Sequence, residues 1–101
     1  MKFIMMRRYK GEQPYGYQIK ANVAFELAHG IVVHNARLTR DPRSGYRLRP
    51  PQKYNADGLS IINWDFERPE LRLAAERLGR AFEQMDVGTS KHTFTGEAFA
   101  T

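Results

Sequence analysis

Between Arg37 and Lys53 the chain sets Arg37, Arg40, Arg43, Arg47, Arg49 and Lys53 against a single acid, Asp41. The local balance of +5 equals the formal net charge of the whole chain, so the remaining charges cancel. Guanidinium and ammonium groups at this density suit phosphate, which they neutralise without regard to base sequence. Arginine can also read guanine through a bidentate pair. Arg47 and Arg49 alternate with Tyr46 and Leu48, so they are predicted to project from one face of a strand. Arg40 and Arg43 flank the turn beside it. Tyr46 and Tyr54 are interleaved with the charges, and aromatic platforms among cations suit unpaired bases. The plainer account is a solvated basic hairpin, with each tyrosine packed as an ordinary strand residue.

Other chemistry finds little support. His29 and His34 lie five apart with Gly30 between them, and no cysteine or acidic cluster completes a metal set. Asp57, Asp65, Glu67 and Glu70 are the candidate carboxylates. Asp57 is explained by its turn, and Glu67 and Glu70 by a helix N-terminus. No Ser or Cys nucleophile motif, glycine-rich phosphate loop or HExxH is present. The expectation is a protein with no catalytic residue, metal, cofactor or small-molecule substrate.

These side chains need elements to hold them. Residues 15–27 alternate, with Tyr15, Tyr17, Ile19, Ala21, Val23, Phe25 and Leu27 on one side, which predicts a strand with one buried face. At about 3.3 Å per residue such a strand is over-long, so it should bend or extend past its neighbours. Lys2–Tyr9 reads as an earlier strand. Ile31–Arg40 reads as a later one, with Val32, Ala36 and Leu38 sharing a face with His34. Asp41-Pro42-Arg43-Ser44-Gly45 has turn chemistry, Tyr46–Arg49 looks extended, Asp57-Gly58 marks a further turn and Leu59–Trp64 a short strand. Pro69 suits a first helical position, and Leu71, Ala74, Ala75, Leu78, Phe82 and Met85 form one stripe. Arg72, Glu76 and Arg80 line the solvated side, and Gly88 is placed to end the helix. The predicted class is α+β: a small antiparallel sheet of four to five strands with one C-terminal α-helix packed against it.

At 101 residues the chain is one domain at most, predicted over 1–88 with a flexible tail over 89–101. Cysteine is absent, which fits a reducing compartment. The opening MKFIMMRRYK has too short an apolar run for a signal peptide or a membrane span. A soluble, cytoplasmic protein is expected.

The spacing of several residues resembles the stage V sporulation protein G family of septation regulators. Leu27, His29, Val32, Val33, His34, Asn35 and Arg37 follow that family's order at the end of one strand and the start of the next. Pro51, Lys53, Asp57 and Gly58 match its P-x-K-x-x-x-D-G run, and Arg68–Val87 matches its closing helix. The likeness covers roughly residues 1–87. It implies a dimeric antiparallel-sheet domain that binds DNA, and in some members RNA, in gene regulation. The chain departs from the pattern in three places. The turn around Asp41–Gly45 is one residue longer, Asn35 stands where Asp is common, and Tyr54 stands where a second basic residue often follows. A weaker likeness, through the loose Arg…Pro…Lys…Gly run, is to the positive-cofactor type of transcriptional coactivator, which binds single-stranded DNA.

The leading expectation is a homodimeric nucleic-acid-binding regulator acting through Arg37, Arg40, Arg43, Arg47, Arg49, Lys53 and Tyr54. The rival is a protein-interaction module that docks through a sheet edge or the helix, without a nucleic-acid role.

Overall fold

The computed structural model describes residues 1–52 and 62–95. Five strands and one helix follow in the order β1 (Lys2–Arg8), β2 (Gln18–Ala28), β3 (Ile31–Asp41), β4 (Gly45–Arg49), α1 (Pro69–Glu83) and β5 (Lys91–Thr93). The strands form one antiparallel sheet in the order β4-β3-β2-β1-β5. This is the expected α+β class, with a single helix packed on the sheet.

Why these residues make this sheet is clearest in β2. Ala21, Val23 and Phe25 are buried in the core, as alternation requires, while Ile19 is buried outside that cluster, across a register shift and opposite Thr39. The ends of the predicted strand differ: Tyr15 is fully exposed, Leu27 is half exposed, and β2 begins only at Gln18. The sheet absorbs the excess length in bulges. Register shifts lie between Ile19 and Ala21, Val23 and Phe25, and Glu26 and Ala28 on the β2–β3 ladder, and between Phe3 and Met5 on β1. A bulge sets two residues against one and bends its strand.

One of these bulges overturns an expectation for β3. Val23 pairs with Ala36, but Phe25 pairs with Val33, so His34 and Asn35 form the inserted step. Asn35 sits at φ 61. Asparagine tolerates this left-handed region better than other residues with a Cβ. Past the insertion the face reverses. Val33 joins Ala36 and Leu38 in the core, while Val32 and His34 are exposed.

The core is one cluster. Phe3, Met6, Ala21, Val23, Phe25, Val33, Ala36, Leu38 and Leu48 line the sheet, and Ala74, Ala75 and Leu78 close it from the helix. The helix lies chiefly over β4. Gly79 is buried there against the Tyr46 ring, which a Cβ at that position would meet. Pro69 opens the helix, and Glu70 sits in its first turn. The Glu70 N–H and the Arg68 guanidinium hold the Glu70 carboxyl below the usual range. Glu67 lies before the helix and serves a different purpose, described below.

Three further expectations are corrected. The helix ends at Glu83 with Gln84 as its C-cap, short of Gly88. Here the Arg8 guanidinium reaches from β1 and donates to the carbonyls of Thr89 at 2.6 Å and Asp86 at 3.2 Å, and it stacks over Phe82 at 4.7 Å. A tertiary donor thereby ties the chain just past the helix to β1. Within the expected tail over 89–101, the three residues Lys91–Thr93 form a fifth strand of the sheet. Lys91–Thr93 pairs with β1, and Phe94 packs on Phe3 at 5.5 Å. Lastly, Ile62–Trp64 is not strand. Trp64 instead packs edge-on against Phe25 and donates Nε1–H to the Leu48 carbonyl at 2.8 Å, satisfying an acceptor of the edge strand β4. Residues 59–61 of that predicted strand, and the Asp57-Gly58 turn, lie outside the described residues.

Candidate nucleic-acid interface

A single tight turn, Pro42–Ser44, sets up the β3–β4 hairpin. Gly45 takes φ 80 opposite Asp41, and the Ser44 hydroxyl donates to Asp41 Oδ2, as the turn chemistry predicts. Alternation then divides the arginines between the two faces. Arg37 pairs with Arg49 and Thr39 with Arg47, on the face away from the helix, whereas Arg40 pairs with Tyr46 on the helix face.

Arg47 and Arg49 do share a face, but both are consumed internally. Arg47 is buried and donates to Glu67 at 2.8 Å and to the carbonyls of Ser44 and Tyr46. Arg49 donates to the Thr39 hydroxyl at 3.0 Å and to both Asp41 oxygens, and its guanidinium lies between the rings of Tyr17 at 4.0 Å and Phe66 at 4.3 Å. Each has a carboxylate that cancels its charge. Arg37 donates to the Pro50 carbonyl and the Tyr17 hydroxyl, with no acid beside it. Arg40 is half exposed, 4.0 Å from Glu83, and stacks loosely on Tyr46. The Tyr46 hydroxyl donates to Glu83 at 2.7 Å, and burial together with that carboxylate raises its pKa to about 12. Arg43 is exposed at the turn, and its side chain makes no hydrogen bond or ion pair among the described residues. Lys53 and Tyr54 lie outside the described residues. The described members of the basic segment therefore do not form one exposed patch. Its middle members brace the hairpin, the Tyr17 loop and the approach to the helix.

The sheet nevertheless assembles a cationic row that the linear sequence scatters. On the face opposite the helix, Lys91 pairs with Arg7, Arg7 with Asn22, Asn22 with Arg37, and Arg37 with Arg49. All five strands contribute one residue, and none of the five residues is acidic. At about 4.8 Å per strand the row is about 19 Å long. Lys91 and Arg7 are exposed and carry no ion pair among the described residues. Neither is singled out by local composition. Only the register, with its bulges, brings them into line with Arg37.

Tyr17 links this row to a groove of about 700 Å³ at the end of the sheet, lined by residues that include Tyr15, Tyr17, Lys20 and Arg40. The loop that carries the tyrosines is pinned by Gln13, whose amide accepts the Ile19 N–H at 2.6 Å and donates to the Ile19 carbonyl at 3.0 Å, as a strand neighbour would. Gly16, at φ 99, makes the reversal between the two tyrosines. The alternation of residues 15–27 assigns both rings to a buried strand face, which conceals the exposure of Tyr15.

Among the described residues no group of three or more His, Cys, Asp or Glu side chains converges to hold a metal ion. No helix among them is long and apolar enough to cross a membrane. No family model, no curated protein and no solved structure matches the chain.

Proposed function

We propose that the protein binds single-stranded nucleic acid across the sheet face opposite the helix. The observation that carries this reading is the acid-free row Lys91, Arg7, Asn22, Arg37 and Arg49, in which three cations lack a carboxylate partner among the described residues. Cations along a track suit a phosphate backbone. The exposed Tyr15 beside Lys20 and Arg40 supplies the stacking platform that unpaired bases require and a duplex does not offer to a flat sheet. The likeness to the stage V sporulation protein G family agrees in kind, and a role in gene regulation rests on that likeness alone.

The test is fluorescence anisotropy with a labelled single strand of DNA, the same sequence as RNA, and the duplex, over a series of salt concentrations. Each phosphate neutralised on a single strand contributes about −0.7 to the slope of log K against log salt. Replacing Arg7 and Lys91 together by Ala should flatten that slope by about 1.4 while leaving the unfolding midpoint unchanged. Absence of binding at low salt, or an unaltered slope in the variant, would reject the reading.

A second reading has its own observation. Leu27, Ile31 and Val32 are exposed together at the β2–β3 hairpin, an apolar cluster suited to self-association. It accommodates a homodimer without displacing the first reading.

A further inference from the structure

The same open face holds a recess of about 250 Å³ lined by Met5, Arg7, Asn22, Val23, Ala24, His34 and Asn35. It exists because of the β3 bulge. The inserted step at His34 and Asn35 stands opposite Ala24, so the ladder opens where Met5, Ala24 and the bulge meet. The polar side chains around it are uncommitted. The side chains of Arg7, Asn22, His34 and Asn35 make no hydrogen bond or ion pair among the described residues, whereas those of Arg37, Arg47 and Arg49 are each engaged by two or more acceptors or rings. Four polar side chains without a partner among the described residues therefore surround one recess, one of them on a residue held at φ 61.

The chemistry of the lining selects the ligand. Met5, Val23 and Ala24 supply the apolar part of the lining, and a thioether makes favourable contact with an aromatic edge. The Asn22 and Asn35 amides each offer a donor and an acceptor side by side. That pair matches the N6 and N7 edge of adenine, the base that asparagine reads bidentately. Arg7 lies at the rim in the cationic row and is placed for a phosphate. A volume of this size takes one nucleotide, not a longer segment.

We infer that the recess between β1, β2 and the β3 bulge is a subsite for a single adenine nucleotide, with the base over Met5, its edge read by Asn22 and Asn35, and its phosphate held by Arg7. The subsite rests on the nucleic-acid reading insofar as the nucleotide belongs to a strand. A free adenosine monophosphate would present the same chemistry.

The experiment uses the full chain and the double variant Asn22→Ala with Asn35→Gly. Glycine keeps the left-handed backbone at position 35 while removing the amide. Wild type should bind an oligo-dA strand about tenfold more tightly than oligo-dT or oligo-dC. The variant should reduce that preference to within about twofold, with its salt slope and unfolding midpoint retained. Adenosine monophosphate should shift the backbone amide resonances of Met5, Arg7, Asn22, Ala24 and His34 in wild type and not in the variant. Equal binding of all homopolymers, preference for another base, or a preference that survives in the variant would overturn the subsite, while the nucleic-acid reading would stand on its salt slope. Shifts with adenosine monophosphate but no binding of any strand would keep the subsite, assign it to the free nucleotide, and remove the nucleic-acid reading. Neither shifts nor strand binding would remove both.

Discussion

Arg47 and Arg7 carry the same charge in opposite circumstances. The Arg47 guanidinium is buried against Glu67 and two carbonyls, and its stem covers the hairpin. Arg7 stands in the open with no partner among the described residues. Hydrogen bonds to a charged donor contribute more than neutral ones, and a long stem adds packing. Arg47→Ala should therefore cost about 2–3 kcal/mol in a urea unfolding series, read as a lower midpoint with an unchanged m-value. Nucleic-acid affinity per folded molecule should stay within about twofold, because the charge lost was already cancelled by Glu67. A variant that folds as well as wild type but binds weakly would return Arg47 to the interface. A count of residues could not make this distinction. The sequence shows six cations near one acid, but the acid that matters for Arg47 is Glu67, twenty residues further along the chain.

At the scale of elements, the meeting of α1 with β4 is set by one missing methyl. Gly79 is buried on the helix where the Tyr46 ring lies against its backbone, and the Tyr46 hydroxyl reaches on to Glu83 on the same helix. In an exposed helix, exchanging Gly for Ala gains about 1 kcal/mol from backbone propensity. Here the sign should reverse, because the added Cβ would overlap ring atoms that the Glu83 hydrogen bond helps hold in place. Gly79→Ala should destabilise the domain by about 1–3 kcal/mol in thermal unfolding. The double change Gly79→Ala with Tyr46→Ala should recover the helical gain relative to Tyr46→Ala alone. A single variant more stable than wild type would mean that the ring yields freely. The helix itself was legible in the sequence because Leu71, Ala74, Ala75, Leu78 and Phe82 repeat at helical spacing, and Pro69 marks its start. The β-strands were legible for the same reason, but their faces were not. Period-2 alternation carries no sign of a bulge, so Val32 and His34 were placed inward although the Asn35 step turns them out. The short strand Lys91–Thr93 was invisible, since three residues carry no period and its stability comes from β1. The candidate site suffered most. Arg7, Asn22 and Lys91 are far apart in the chain and become neighbours only through register.

At the scale of the whole molecule, β3 separates two unlike ends. It spans eleven residues, from Ile31 to Asp41, and so about 36 Å at about 3.3 Å per residue. Exposed Leu27, Ile31 and Val32 occupy one end. The groove with Tyr15, Tyr17, Lys20, Arg40 and Pro42 occupies the other. The cationic row crosses between them, at Arg37 on β3. Contact between two copies at the apolar end would therefore leave both grooves open and set two rows on one extended assembly. Linking two such tracks raises the affinity for a strand long enough to reach both, with no new contact in either. Sedimentation equilibrium over a range of concentrations should show reversible dimerisation of wild type, and Ile31→Ser with Val32→Ser should remain monomeric with its fold intact. For a short strand that reaches one row only, the variant should match wild type. For a strand that spans both, it should bind at least about tenfold more weakly, the lower range of the avidity gain for linked sites. If wild type is monomeric at every concentration, the apolar end has no role in self-association. If dimer and monomer bind long strands equally, the two rows do not engage one strand together, and the row within each chain accounts for the whole interaction.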